Sequence, residues 1–136
     1  MSEVIQATTG SEAVTRGIRV EVRAAYSEEH SDPRQGRWFF LYTIRISNEG
    51  EDVVQLHSRH WTITDGTGRV EEVVGEGVVG EQPVLQPGES FEYTSGCPLD
   101  TPMGSMRGTY QMRLESGTEF DADIGRFELN EPSAIH

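Results

Sequence analysis

Short runs in which apolar and polar residues alternate are the feature that most constrains the fold of this chain. From Ile18 to Tyr26 every second side chain is apolar or aromatic, and charged residues fill most of the positions between. A period of two matches a β-strand with one buried face, whereas an amphipathic helix repeats every ~3.6 residues. Seven runs have extended character, and they cover residues 18–26, 37–47, 53–64, 69–74, 91–94, 106–114 and 120–129. Turn-forming residues separate them, so the sequence predicts an all-β antiparallel sandwich of about seven strands.

The length of the chain suits a single domain. Its 136 residues match the usual size of one folded unit, about 100–150 residues. We expect residues 14–129 to form the sandwich, with a flexible segment at 1–13 and a flexible tail at 130–136. The single cysteine, Cys97, cannot form an internal disulfide, which favours the fibronectin type III variety over a disulfide-bonded immunoglobulin domain. Gly125 in the last run predicts a bulge or kink.

The charge balance excludes several classes of function. Eleven basic residues, all of them arginine, face 23 acidic ones for a formal charge of −12. The sequence has no basic run that could follow a phosphate backbone, so nucleic-acid binding is disfavoured, and mechanisms that need a catalytic lysine are removed. The apolar runs are too short to span a bilayer, and the first residues do not resemble a secretory signal. We therefore expect a cytoplasmic protein that binds neither nucleic acid nor membrane.

Several stretches of the chain carry a resemblance to a known family. They are residues 28–33, 39–48, 59–65, 75–83, 85–96 and 104–112. Together they make residues 14–129 resemble the ApaG family. The resemblance implies a fibronectin-like β-sandwich, in agreement with the alternation. It implies no established enzymatic activity, an association of bacterial members with cobalt and magnesium tolerance, and a protein-binding role like that of the same domain in eukaryotic F-box and polymerase-interacting proteins.

Three glycines, Gly75, Gly77 and Gly80, have the spacing of a dinucleotide-binding fingerprint. That fingerprint works where the glycines lead into a helix whose amides hold a pyrophosphate. Here a proline-rich loop follows, so a Rossmann site is excluded. A glycine-rich loop can still present successive backbone N–H groups to an anion, although Glu76 and Glu81 would repel a phosphate. The alternative is that these glycines serve tight turns.

The segment from His57 to Trp61 is the most chemically varied stretch of the chain. Strict alternation places His57, Arg59 and Trp61 on one face and His60 on the other. The two histidines should then not share a metal ion. We expect Trp61 and Ile63 to face the core while His60 makes a hydrogen bond at the sheet surface. The alternative is that the polar face of this strand meets a partner.

Metal-binding and catalytic patterns are weak. Residues 28–32 contain three carboxylates and His30, but they lack the spacing of a known calcium loop, so we interpret them as a solvated acidic loop. Cys97 and Ser95 lie among turn-forming residues, and Ser95 is not in a nucleophile elbow. Asp121 and Asp123 are interpreted as a solvated strand edge. We expect no catalytic residue, no cofactor and no metal site.

Two hypotheses of function follow. The first is a non-catalytic module that binds an unidentified protein partner through loops and one sheet edge, since a rigid scaffold can present recognition loops without moving parts. Its candidate residues are the loop 75–83 with Arg59, His60, Thr94, Ser95 and Gly96. The second is binding of a small anion (phosphate, pyrophosphate or a nucleotide) by Gly75, Gly77 and Gly80. Exposed edge strands leave a homodimer open.

Overall fold

The protein consists of two antiparallel sheets packed face to face. Its structure is a computed structural model that describes residues 8–134. The nine strands are β1 Thr9–Thr15, β2 Ile18–Tyr26, β3 Trp38–Asn48, β4 Val54–Asp65, β5 Val70–Glu76, β6 Val84–Leu85, β7 Ser90–Leu99, β8 Met103–Leu114 and β9 Glu119–Asn130. Short 3-10 turns occupy Pro33–Gln35 and Pro132–Ala134. Over the described range there is no helix with the length and apolar character needed to cross a membrane.

The strand order sets which edges are exposed. One sheet runs β1-β2-β3-β7 and the other β5-β4-β8-β9, with the short β6 added to the end of β4. All neighbouring strands pair antiparallel. The predicted sandwich is confirmed, and β3 is the central strand between β2 and β7 that its apolar residues on both faces indicate.

The core lies between the sheets and is formed by the inward-facing residue of each alternating pair. Phe40, Ile44 and Ile46 of β3 are completely buried, and each such side chain contributes about 1.5–3 kcal/mol on burial. Tyr42 joins the two sheets by an edge-on contact with Trp61 at a ring-centroid distance of 5.5 Å. Aromatic contacts across the interior therefore fix how the sheets face each other.

The structure has nine strands instead of about seven, and it moves the predicted domain boundaries. β1 places residues 9–13 in a sheet, which corrects the flexible segment predicted for 1–13; residues 1–7 lie outside the described residues. β1 has little apolar alternation, because a backbone ladder to β2 and hydroxyl contacts to β9 hold it: Ser11 Oγ donates to the carbonyl oxygen of Gly125 at 2.6 Å. Likewise Asn130 ends β9 and a 3-10 turn follows, which corrects the tail predicted for 130–136, and residues 135–136 are outside the described range. The other missed strand, β6, has two residues.

Two irregularities concern strands that the sequence located. The register of β8 and β9 shifts so that Gly125 and Arg126 lie opposite Arg107, which confirms the predicted bulge at Gly125. β7 continues through Pro98 to Leu99, where we expected the strand to stop. Proline is tolerated there because β7 is an edge strand and one side of its backbone has no ladder to complete.

The sandwich is closed along one side and open along the other. On the closed side, hydrogen bonds between β1 and β9 join the two sheets: the Ser11 hydroxyl donates to the carbonyl oxygen of Gly125, and the N–H of Asp123 donates to the Thr15 hydroxyl. On the other side lie the edges β5 and β7, and no hydrogen bond joins these two strands among residues 8–134. The space between them is called the open groove below.

Candidate functional site

The open groove is the main concave feature between the two sheets. Two adjoining cavities of about 250 and 270 Å³ share a floor of Tyr42, Arg59 and Trp61 and a wall at Ser95. One end is bounded by the turn Val78–Gly80. The other end continues into a cavity of about 220 Å³ beside Arg69. The groove therefore runs along much of the open side.

Arg59 lies on the floor of this groove in a fixed orientation. Its Nη1 donates to the carbonyl oxygens of Glu76 at 3.0 Å and Gly77 at 2.7 Å. The guanidinium lies against the backbone of Gly75, where a Cβ would come within 2.9 Å of both Nη atoms. A side chain at position 75 would have to displace the Arg59 guanidinium from these contacts. In the described part of the chain, none of the ion pairs involves Arg59.

Three tyrosines, Tyr42, Tyr93 and Tyr110, form a phenol cluster beside Arg59. The hydroxyl groups of Tyr93 and Tyr110 form a hydrogen bond with each other. Burial raises the pKa of all three phenols, and the positive charge of Arg59 opposes this shift in each. The opposing effect shows that the guanidinium charge is felt at the hydroxyls. At neutral pH the cluster is therefore uncharged and can donate hydrogen bonds.

The glycine-rich loop forms a tight turn. The N–H of Gly77 donates to the carbonyl oxygen of His57 at 2.9 Å, and Val78 and Glu81 exchange backbone hydrogen bonds of 2.8 and 2.9 Å. The two central residues have positive φ, +43° at Val79 and +81° at Gly80, as in the primed turns of β-hairpins. Three of the amides that could have faced an anion are thus engaged by backbone carbonyls.

The predicted site residues divide between the groove and the outer faces. Arg59, Gly80, Ser95 and Gly96 line the groove. Gly75 and Gly77 lie beneath and beside the Arg59 guanidinium.

His60 and Thr94 point elsewhere. The Nε2 atom of His60 lies 2.7 Å from a carboxylate oxygen of Glu72, which matches the hydrogen bond expected at the sheet surface. The hydroxyl of Thr94 bonds that of Thr43 at 2.8 Å. Both are outside the groove, so the structure does not assemble all of the predicted candidates into one surface.

A bulge in β4 changes the predicted alternation. Leu56 pairs with Met112 and Ser58 with Gln111, which leaves His57 as an extra residue. Trp61 is 3% exposed and Ile63 packs against the core, as expected. The placement of His57 on a common face with Arg59 and Trp61 by simple alternation does not hold across this bulge.

Cys97 is part of β7, where the sequence predicted a turn. Its side chain is buried, and burial followed by the charge of Glu71 raises the pKa of the thiol to about 12. Because the thiolate is the reactive form, we expect this cysteine to react slowly at neutral pH. Its partner across the ladder is Phe40.

The acidic loop at residues 28–32 has local contacts of its own. The Nδ1 atom of His30 lies 2.6 Å from the hydroxyl of Ser27, and its ring packs against Phe39 at 5.5 Å. Across residues 8–134 no three or more His, Cys, Asp or Glu side chains are grouped so that they could hold a metal ion.

The sequence did not identify Tyr42 and Trp61 as site residues. Trp61 was expected in the core, and both side chains are buried, but each also lines the groove. Their role could have been recognised from the pairing of Tyr42 with Ser95 across β3 and β7, but this pairing is known only once the register of the two strands is known. Val79 was within the predicted loop, and its positive φ is visible only in the structure.

Comparisons with known proteins agree with the fold. The ApaG domain profile matches residues 28–114. The Protein ApaG sequences of Methylobacterium sp. (strain 4-46) and Bradyrhizobium sp. (strain BTAi1 / ATCC BAA-1182) are each 58% identical over 120 residues, which is 88% of this chain and 92% of theirs. A crystal structure of a Bordetella pertussis protein designated ApaA superposes with a TM-score of 0.82 at 55% identity, and covers 85% of this chain and 94% of that one. The chain belongs to the ApaG domain family.

Proposed function

We propose that this protein is a non-catalytic interaction module that binds a protein partner through the edge of β5 and the adjacent turn. The observation that carries the proposal is the exposure of apolar side chains on β5, an edge strand that among the described residues pairs only with β4, and on the adjacent turn. Val74 is 72% exposed and Val70 is 57% exposed on β5, and Val79 in the turn is 55% exposed. Exposed valines on a sheet edge favour recognition by addition of a further strand.

The backbone of β5 is arranged for such an addition. Gly77 donates to His57, and the same register pairs Gly75 with Arg59 and Val73 with Trp61. In an antiparallel pair the residues that bond the neighbouring strand recur at every second position. The alternate residues, Val74 among them, therefore direct their N–H and C=O groups away from β4 toward the free edge.

The charge of this edge indicates the chemistry of the partner. Glu71, Glu72 and Glu76 are exposed along β5, on a chain of formal charge −12. Acidic side chains on an edge discourage pairing between identical copies and favour a strand with basic residues. We therefore expect an extended, basic segment as the partner, and binding that weakens as salt is added.

Replacing Val74 by proline tests the proposal. Proline removes the outward N–H at this position without removing a hydrogen bond to β4, because the bonded positions are its neighbours. The matched control is Val74→Ala, which loses the side chain but keeps the N–H. The tagged full chain and both variants are used to capture proteins from an extract of the source cells, and stoichiometric partners are quantified by mass spectrometry.

We expect a partner that is retained by the alanine variant and lost with the proline variant, while circular dichroism shows both variants folded. Equal capture by the two variants would mean that strand addition is not the mode of binding. The captured protein could also be a second copy of this chain. Light scattering of the purified chain measures its oligomeric state and so distinguishes this outcome from capture of a different protein.

The small-anion hypothesis at the glycine loop has less support. The amides of Gly77, Val78 and Glu81 already donate to carbonyl oxygens. A ligand at 100 times its dissociation constant would add about 2.7 kcal/mol of stability, so a thermal-shift scan with pyrophosphate and nucleotides is a sensitive test. If one of these anions raises the melting temperature of the natural chain but not that of Gly80→Ala, anion binding would be favoured over protein binding.

The association with cobalt and magnesium tolerance stays a prediction from the family resemblance. Titration calorimetry with Co²⁺ and Mg²⁺ on the untagged chain tests whether it is direct. Heat at micromolar metal that disappears in a Glu28/His30 double variant would assign a metal site to the acidic loop.

A further inference from the structure

The floor of the open groove holds a cation without an acidic partner. Arg59 is half-buried, and in the described part of the chain it takes part in none of the ion pairs, although the sequence has 23 acidic residues. We propose that Arg59, Tyr42 and Ser95 bind the carboxylate of a small acid with an apolar stem or of a peptide C-terminus. The inference goes beyond the proposed function, because it places a ligand site in the open groove and does not depend on strand addition at β5.

The orientation of Arg59 leaves one edge of its guanidinium available to donate hydrogen bonds to a ligand. Nη1 is committed to the carbonyl oxygens of Glu76 and Gly77, and the group lies against Gly75. The remaining donors are on Nε and Nη2, which together form the edge that binds a carboxylate through two parallel hydrogen bonds. Since the carbonyl contacts already fix the side chain, little rotamer entropy is lost on binding.

Neutral hydroxyl groups complete the site. Tyr42 lines both groove cavities together with Arg59 and Ser95. Burial raises the pKa of Tyr42, so its phenol keeps its proton at neutral pH, and Ser95 is its partner across the β3–β7 ladder. The phenol and the Ser95 hydroxyl can then each donate one hydrogen bond to an anion. Hydrogen bonds to a charged acceptor are the stronger kind.

Charge favours a carboxylate over a phosphate. Arg59 is the cation that the two groove cavities share, while Glu76 lines one of them and Glu71 the other. A singly charged carboxylate balances Arg59, whereas a doubly charged phosphate would keep an uncompensated charge beside two carboxylates. The two adjoining cavities, about 250 and 270 Å³, together reach the range of about 300–1,000 Å³ typical of ligand sites, which accommodates a small acid or the last residues of a peptide.

An apolar stem would contact Trp61, Val78 and Val79 at one end of the groove. Val79 has φ of +43°, a conformation that β-branched residues rarely adopt. Strained backbone of this kind persists where the surrounding structure holds it and is concentrated at ligand-binding sites. Here it keeps an exposed valine side chain at the mouth of the groove.

Paired probes that differ only in the carboxylate test the proposal. Isovalerate is compared with isovaleramide, and the peptide acetyl-Gly-Val-Leu with a free C-terminus is compared with its C-terminal amide. Each is titrated at pH 7 into the ¹⁵N-labelled full chain and followed by NMR. We expect the acids, and not the amides, to shift the resonances of Gly75, Ser95 and the Trp61 indole. Binding by one acid alone identifies the source as small molecule or chain terminus.

Substitution of Arg59 provides the decisive comparison. Arg59→Gln should weaken binding of the effective acid about tenfold or more, because it removes a charge-assisted bidentate contact. Arg69→Gln at the far end of the groove is the matched control and should change binding less than about twofold, since no direct contact is lost and exposed charges are screened over distance. Equal shifts by acid and amide, or unchanged binding in Arg59→Gln, would overturn the assignment.

A second pair of variants keeps the test decisive if Arg59→Gln fails to fold. Tyr42→Phe and Ser95→Ala each remove one hydroxyl and should each weaken the acid severalfold, with the spectrum otherwise preserved. Unaffected binding in both would equally refute the site. If the acids bind but no protein is captured, the carboxylate site is upheld and the proposed function is rejected. If a protein is captured by the natural chain and by Val74→Ala but not by Val74→Pro, and neither acid binds, the proposed function is upheld and the carboxylate site is rejected.

Discussion

Replacing Asn48 by aspartate should destabilise the sandwich by about 3–5 kcal/mol at pH 8. Asn48 is 1% exposed. Its Nδ2 donates to the carbonyl oxygens of Asp52 at 2.7 Å and Leu85 at 2.9 Å, and its Oδ1 accepts from the N–H of Gly50 at 3.0 Å. The side chain thus ties the β3–β4 turn to β6. Aspartate keeps the shape and the acceptor, but it loses both donors and directs a negative charge at two carbonyl oxygens.

The magnitude follows from these contacts. Two lost hydrogen bonds account for about 2 kcal/mol, and the buried charge without a counterion accounts for the rest. At this chain length each kcal/mol lowers the melting temperature by about 2–5 °C. We expect a fall of about 10 °C or more. Urea denaturation followed by tryptophan fluorescence measures the free energy of unfolding, and Asn130→Asp, at the less buried end of β9, is the matched control.

The effect of pH has a definite sign. Burial disfavours the charged form, so the pKa of the new carboxyl is higher in the folded than in the unfolded chain, where it is about 3.9. The folded variant therefore binds a proton that the unfolded variant releases, and the difference from the natural chain should shrink as the pH falls from 8 to 4. A loss below about 1 kcal/mol at pH 8, or a difference independent of pH, would refute the role assigned to Asn48.

Three further predictions concern the groove and its walls. Gly96→Val should cost about 1–3 kcal/mol in urea denaturation, because a Cβ there would lie 2.2 Å from the ring of Phe39; full stability would contradict that packing. Cys97, whose pKa is raised to about 12, should react with a thiol reagent at pH 8 only after denaturation, and fast reaction of the native chain would show an open wall. The phenol cluster has raised pKa values, so the folded chain keeps protons that the unfolded chain loses above about pH 10; stability should fall there, and ultraviolet titration should find these phenols un-ionised at pH 10.

The sequence predicted those strands whose side chains alternate between a dry interior and solvent. β2 has the predicted bounds, Ile18–Tyr26, because one of its faces is buried along its whole length and charged residues fill most of the other. Where both conditions hold, hydrophobic burial sets the strand and its register. The same pattern predicted the sandwich, whereas apolar residues on both faces indicated that β3 is an interior strand.

Elements held by other forces were missed or cut short. β1 is attached by its backbone ladder to β2 and by hydroxyl groups, such as that of Ser11 to Gly125, and so shows little apolar alternation. β7 was ended too early because Pro98 is normally a breaker, and its tolerance depends on the strand lying at an edge. Edge position is a property of the strand order, which no local pattern contains.

The candidate site depended on a further detail, the bulge at His57, and here the sequence did contain a signal. Leu56 and Trp61 are five positions apart, so strict alternation places them on opposite faces of β4. Both are strongly apolar, and in the structure they are 1% and 3% exposed on the same interior face. Two large apolar residues at an odd separation within one strand require an extra residue between them. That residue is His57, and because the bulge precedes Arg59, Arg59 enters the groove alongside Trp61 while Leu56 stays in the core.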